Sequence, residues 1–313
     1  TPKTSRHQDG FGSHTFQWLN AKGEAFWVKY HFKTRQGWDC FTDEEAQEMA
    51  GKNADYQRED LFNAIERGDY PIWDVKVQIM PFAEAETYRY NPFDLTKTWS
   101  HKDYPLIDVG YFVLNRNPVN YFAQIEQLAF DPANLVPGVG LSPDRMLMAR
   151  AFAYADAHRY RIGPNYRQLP VNQPVQPVNT YAHQGPMTYQ FNPASAPVYT
   201  PNRFDKGAGY LDDGVSSNSG YGAADELFIN PDPHGTDLGR APYVAHPEDD
   251  DFGQAGILYR EVMDDGAKDR LAHNITNAMV GVSPETEQRC YWYWDQVDPQ
   301  LGAEVRKRFA AKK

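Results

Sequence analysis

Cysteine is scarce. Cys40 and Cys290 are the two in 313 residues, far apart and in no CxxC spacing. That excludes a disulfide framework and a cysteine-based zinc site. Long apolar runs are missing too. None reaches the length of a bilayer-crossing helix, and no charged-then-apolar leader is visible, so no membrane partner is expected. Positive charge is in deficit: 31 Lys and Arg stand against 42 Asp and Glu, a net charge of −11, with the acids concentrated after residue 211. This balance argues against a nucleic-acid surface. No GxGxxG follows a strand-like run, so no Rossmann site is expected. His7, His183, His234, His246 and His273 are scattered and form no metal-ligand spacing. There is no internal repeat.

What is present suggests a sizeable core, since 41% of the residues are hydrophobic. The aromatic share of 14% suits the walls of a flat apolar cofactor site, or equally an aromatic core. His14 to Leu19 and Ala25 to Lys33 read as two strands of a hairpin about Asn20–Gly23. In the second, Phe26, Val28, Tyr30 and Phe32 alternate with Trp27, Lys29, His31 and Lys33, giving one buried face and one partly wet or ligand-facing. Thr42 and Glu45 form a capping box, with Gly51 ending that helix. A second helix is expected over 55–67. Trp73 to Ile79 and Leu106 to Leu114 supply two further strands, and Asn117–Pro118 opens a helix carrying Tyr121, Phe122, Ile125 and Leu128. The fold class is α+β. Four strands make only part of a barrel. From Pro164 to Asp249 the texture turns to Pro, Gly, Asn and Tyr, far longer than an ordinary connection, which reads as an extended arm. Helical signals return after Phe252, with Ser283–Pro284 and Asp298–Pro299 each opening a helix.

The chain is organised around a helix over 143–162. Ser142 can cap it, Pro143 suits its first turn, and Gly163–Pro164 stop it. Met146, Arg150, Tyr154 and His158 recur every fourth residue and Arg161 follows three later, so they share one face. An anionic tyrosine needs such a stripe. A free phenol ionises near pH 10, and a guanidinium one turn away, or a ferric ion, favours the phenolate. Arg150 would serve Tyr154 in this way, and Arg161 could pair with a carboxylate of the same cofactor. The same spacing also fits an amphipathic helix with a wet polar face and no cofactor.

The run Arg150-Ala-Phe-Ala-Tyr154-Ala-Asp156-Ala-His158-Arg159-Tyr-Arg161 resembles the haem-ligand signature of the haem catalases. Gly163-Pro-Asn165-Tyr166 and Leu169-Pro-Val-Asn172 continue the match. So do Gly12-Ser-His-Thr-Phe16, Asp60-Leu-Phe-Asn-Ala-Ile65, Asn91-Pro-Phe-Asp-Leu-Thr-Lys97, Trp99-Ser-His101-Lys-Asp-Tyr-Pro105 and Leu114-Asn-Arg-Asn-Pro118. The resemblance, to the small-subunit NADPH-binding type, implies an antiparallel β-barrel. This chain would hold the barrel's second half in residues 1–130, a wrapping arm with the proximal haem helix in 131–249, and a helical domain in 250–313. It implies haem-dependent dismutation of hydrogen peroxide, with Tyr154 as the iron ligand and Arg150 keeping it ionised. Ser13, His14, Phe130, Met146, His158 and Arg161 would complete the haem site, with His14 paired to Asp144 and Phe152 packing nearby.

The resemblance further implies an NADPH site of Phe11, His31, Lys33, Thr98, Trp99, His101 and Gln254. Lys33 would meet the ribose phosphate, and Asp9 stands where relatives often have Asn. The alternative is a set of surface residues at the interface with the helical domain. A homotetramer is implied by the arm, and a bacterial cytoplasm or a peroxisome-like compartment fits, although Ala310–Lys313 is no peroxisomal address. The family's distal His and Asn lie upstream of the matched residues. The chain as given is therefore expected to be incomplete for activity and to need the N-terminal part of the same protein. Two other readings are a Tyr-ligated haem enzyme acting on organic hydroperoxides and a non-catalytic, oligomer-forming fragment.

Overall fold

In a computed structural model, residues 1–175, 184–189 and 250–312 are described. Much of the arm expected over 131–249 lies outside these residues. The frame is an antiparallel sheet of six strands: β1 Gly10–Phe11, β2 Phe16–Leu19, β3 Ala25–Thr34, β4 Ile72–Pro81, β5 Ile107–Val113 and β6 Val139–Gly140. Their order is β5-β4-β3-β2-β6, with β1 on β3 beyond β2. The four long strands match the sequence periodicity. The two-residue strands β1 and β6 were not foreseen, being too short to show any period.

Register follows the alternation. Val28 pairs with Phe16 and Ile79, and Tyr30 with Val77, which puts these side chains on one face. The other face carries Trp27, Lys29, His31, Gln78 and Met80. It is covered by a cluster in which Trp27 and Met80 pack with Trp99 and Tyr104. The half-wet face expected there is buried around Lys29, only 7% exposed. The β2–β3 hairpin closes as anticipated, with Gly23 at φ +79° and Asn20 N donating to Glu24 O at 3.1 Å. Strand β2 begins two residues later than expected because Gly12 to His14 form a tight turn instead.

Helix α1, Asp43–Lys52, carries the capping box between Thr42 and Glu45. It runs through Gly51 and ends at Asn53, so Gly51 is not its stop. Helix α2 spans Tyr56–Glu66. The helix expected after Asn117–Pro118 shrinks to one π-turn, Phe122–Glu126. The Gln124 side chain takes the amides of Val119 and Asn120, while Val119 and Phe122 stay exposed. With its apolar side chains left uncovered among the described residues, the turn does not propagate. Helix α3 is Arg145–Arg161. Its N-cap is Asp144 rather than Ser142, because the carboxylate takes both Met146 N and Leu147 N. Ser142 instead accepts from Asp144 N.

The C-terminal unit comprises α4 Gly253–Ile257, which runs into a π-turn, then α5 Asp265–Ala278, α6 Pro284–Val297 and α7 Pro299–Ala310. Ser283 and Asp298 cap the last two, each followed by proline, as expected. Their core gathers Ile275, Met279, Tyr291, Leu301, Val305 and Phe309. The unit is tied to the segment that covers the sheet by Lys97–Asp251 at 2.8 Å and by Gln254 on Thr98. No helix among the described residues is long and apolar enough to cross a membrane.

Burial of Lys29 gives a measurable pH signature. Desolvation pushes its ammonium down to about 8 from the ordinary 10.5, against the pull of Asp144 and Asp94. Between these values the unfolded chain holds a proton that the folded one has released, so stability rises with pH across that window. Below pH 8 the penalty is present in full. Denaturant midpoints at pH 7.0 and 9.5 check this: the native midpoint should rise relative to that of Lys29→Met. A constant difference between the two proteins would contradict it.

Candidate functional site

The face of α3 foreseen from its spacing meets the start of β2. Asp144 and His14 are both 2% exposed. One Asp144 oxygen caps the helix; the other lies 2.7 Å from His14 Nδ1. A carboxylate accepts, so His14 carries its proton on Nδ1. His14 Nε2 is then an acceptor, and Arg150 Nη1 donates to it at 2.7 Å. The other guanidinium arm, Nη2, donates to Tyr154 Oη at 3.3 Å, with the guanidinium 5.2 Å from the ring centroid. Carboxylate, neutral imidazole, guanidinium and phenol thus form one line. Ser13, just before His14, adopts φ +62°, a region unusual for a residue with a side chain.

The far end of the helix is pinned as well. The rings of Tyr154 and His158 stand edge to face at 5.9 Å. His158 Nε2 lies 2.7 Å from Phe130 O, so it donates there. Nδ1 is left to accept from Arg161. Arg161 also donates to Glu126 O at 2.8 Å and Leu128 O at 2.6 Å. Its guanidinium thereby shapes the 126–130 loop. Asn172 holds the same loop through Ala129 N and Gln127 O. No spacing signal marked Asn172 or its role.

The apolar residues expected beside the cofactor stand open. Met146 is 52%, Phe130 73% and Phe152 78% exposed. These surfaces and the donor set fit a flat, apolar, iron-bearing group. A phenol oxygen backed by a guanidinium is a hard anionic donor suited to ferric iron.

Four of the second set of residues also converge. His31 lies 5.7 Å from Phe11 and 6.0 Å from His101, ring centre to ring centre. Lys33 Nζ sits 4.7 Å from the Phe11 ring centre. It is paired with Asp9 at 2.8 Å, and Asp9 also accepts from Thr34 N. Gln78 Nε2 donates to Tyr104 O, which turns its oxygen towards His31 Nε2 at 2.9 Å. His31 therefore donates from Nε2, and its buried Nδ1 has no partner among the described residues. Burial holds both His31 and His101 below the usual imidazole value. The other three sit differently. Thr98 and Gln254 are bonded to each other through backbone and side chain. Trp99 is 2% exposed within the core, so it offers no stacking face, although its indole N–H is also unpartnered. Gln78 was missed because a glutamine on an alternating strand gives no sequence signal.

Comparison with known proteins agrees with this geometry. The family model described as catalase matches residues 1–206, and that described as catalase-related immune-responsive matches 245–309. A catalase from an Onchocerca volvulus endobacterium is 49% identical over 96% of this chain and 59% of its own length. Catalase A of Pseudomonas putida is 49% identical over 98% of this chain and 60% of its own. A solved bacterial catalase superposes with a TM-score of 0.87 at 70% identity, covering all of this chain and 62% of that one. The chain thus spans about three-fifths of the length of these relatives. With more than half of its residues matched by the family model, the chain belongs to the catalase family.

Proposed function

We propose that these residues form the iron-ligating half of a haem catalase that dismutates hydrogen peroxide. The observation that carries this reading is the unbroken line Asp144–His14–Arg150–Tyr154. When bound, ferric haem supplies the redox chemistry by which one peroxide is reduced to water and another oxidised to oxygen. Tyr154 would hold the iron through its phenol oxygen. Arg150 donates to that oxygen and places a positive charge beside it. Asp144 fixes the His14 tautomer, and His14 in turn holds Arg150 in register. Ser13, Met146 and Phe130 lie towards the haem, with Phe152 packing beside them. His158 and Arg161 set the loop that carries Phe130.

Peroxide cleavage also needs a positioned acid–base group, typically worth about a hundredfold to ten-thousandfold. His14 cannot serve, since both ring nitrogens are engaged. We assign that role to the part of the relatives' length that this chain does not span. The exposed apolar side chains of β5, with Val109 at 52% and Tyr111 at 63%, support a further segment covering that strand. The division into 1–130, 131–249 and 250–313, assembly as a homotetramer, and a bacterial cytoplasmic or peroxisome-like location belong to the same proposal.

Tyr154→Phe tests the reading. It should abolish the phenolate-to-iron absorption band and most haem retention after gel filtration. A variant that keeps full haem with an unaltered spectrum contradicts the assignment.

NADPH is proposed as a second ligand, at Phe11, His31, Lys33 and His101, with Thr98, Trp99 and Gln254 forming the wall. The convergence of the Phe11, His31 and His101 rings beside Lys33 supports it. Asp9 opposes it, because it already holds the ammonium that a phosphate would need. Asp9→Asn should therefore tighten NADPH binding about tenfold, the worth of one charge-assisted hydrogen bond. Reduced-nicotinamide fluorescence titration measures it. No binding to either protein would reject the site, and weaker binding to the variant would reject the role given to Asp9.

A further inference from the structure

Lys29 is a buried cation with no close anion. It sits in β3 at 7% exposure. Its Nζ donates to two backbone carbonyls, Ser13 O at 3.4 Å and Lys97 O at 3.2 Å, and lies 5.5 Å from the Trp99 ring centre. Among the described residues no carboxylate is within ion-pairing distance of it. Asp144, at the start of α3, and Asp94, in the loop before Lys97, favour its charge from farther away, while burial opposes it. His31, two residues along the strand, feels that charge in turn. An ammonium is costly to desolvate, and an apolar side chain would suit the position better for stability alone.

One of the carbonyls belongs to a strained turn. Ser13 is at φ +62°, and His14 N donates back to Gly12 O at 2.7 Å, closing a three-residue turn. Gly12 lies flat on β3: its N donates to Tyr30 O at 2.9 Å, and a Cβ there would approach Tyr30 Cβ to 3.2 Å. A serine stays in this conformation only when its surroundings over-determine it. The residue the turn delivers is His14, set between Asp144 and Arg150.

We propose that Lys29 is a positioning residue for the iron site: by tying the Ser13 carbonyl to the Lys97 carbonyl it keeps the Gly12–His14 turn closed and aims His14 at Asp144 and Arg150. The consequence for iron rests on the function proposed above; the turn does not, and the test separates the two. Hydrogen–deuterium exchange on the protein as purified, read in peptides covering 10–19, reports the turn. Lys29→Met removes the donor at similar volume. The amides of 12–15 should then exchange about tenfold faster, with α7 unaffected. Adding Ser13→Gly should restore protection, because glycine adopts positive φ freely. In haem-loaded protein the absorption band should move in Lys29→Met and return in the double variant. Unchanged local exchange in Lys29→Met, or no restoration by Ser13→Gly, overturns the proposal. A loosened turn with an unmoved band overturns its link to the iron site and leaves the haem assignment standing. If Lys29→Met does not fold, Ser13→Gly alone decides. It should raise Tm, and an unchanged or lower Tm would show that the turn stores no strain for Lys29 to hold.

Discussion

The site depends on a single carboxylate that serves two masters. Asp144 is buried, and a buried charge persists only when its lone pairs are filled. One oxygen receives two amides from the first turn of α3, where the helix dipole favours negative charge. The other receives the N–H of His14. The same group therefore starts the helix, docks it on the sheet and sets the imidazole tautomer. Everything after it is forced in sequence. His14 must accept at Nε2, Arg150 must donate to it, and the remaining guanidinium arm points at Tyr154.

The opposite end of α3 is anchored by a separate set of contacts. His158 and Arg161 hold the carbonyls of residues 126–130, and Asn172 closes the loop from behind. Tyr154 thus lies between two fixed points, one made by a strand and one by a loop. Its oxygen has little freedom to wander, as the ligand role proposed for it would require. The surfaces left open, Phe130, Met146 and Phe152, are apolar.

Sequence periodicity made the long strands, the capping box of α1, the C-terminal caps and the Arg150–Tyr154 pairing legible, because each depends on residues close in the chain. What escaped was set by partners far away. Asp144 displaced Ser142 as the helix cap because it had His14, 130 residues off, to hold in place. The loop contacts of Arg161 were hidden because nothing local revealed carbonyls 33 and 35 residues earlier. Lys29 was read onto a partly wet or ligand-facing side because alternation shows which face a side chain takes but not what covers that face. The segment around Trp99 and Tyr104 buries it. The helix expected after Pro118 failed for the opposite reason: its local signals were sound, and among the described residues its apolar side chains stay largely exposed.

The central claim is that Asp144 controls the phenol through His14 and Arg150. Asparagine at this position separates capping from that control. Its one side-chain oxygen can cap α3, but its amide N–H groups then face His14 and force the opposite tautomer, setting donor against donor at Arg150. The measurement is the phenolate-to-iron absorption band of haem-loaded Asp144→Asn, taken alongside amide exchange in α3. The prediction is a shifted or weakened band with the helix still protected. A band identical to that of the native protein would contradict it.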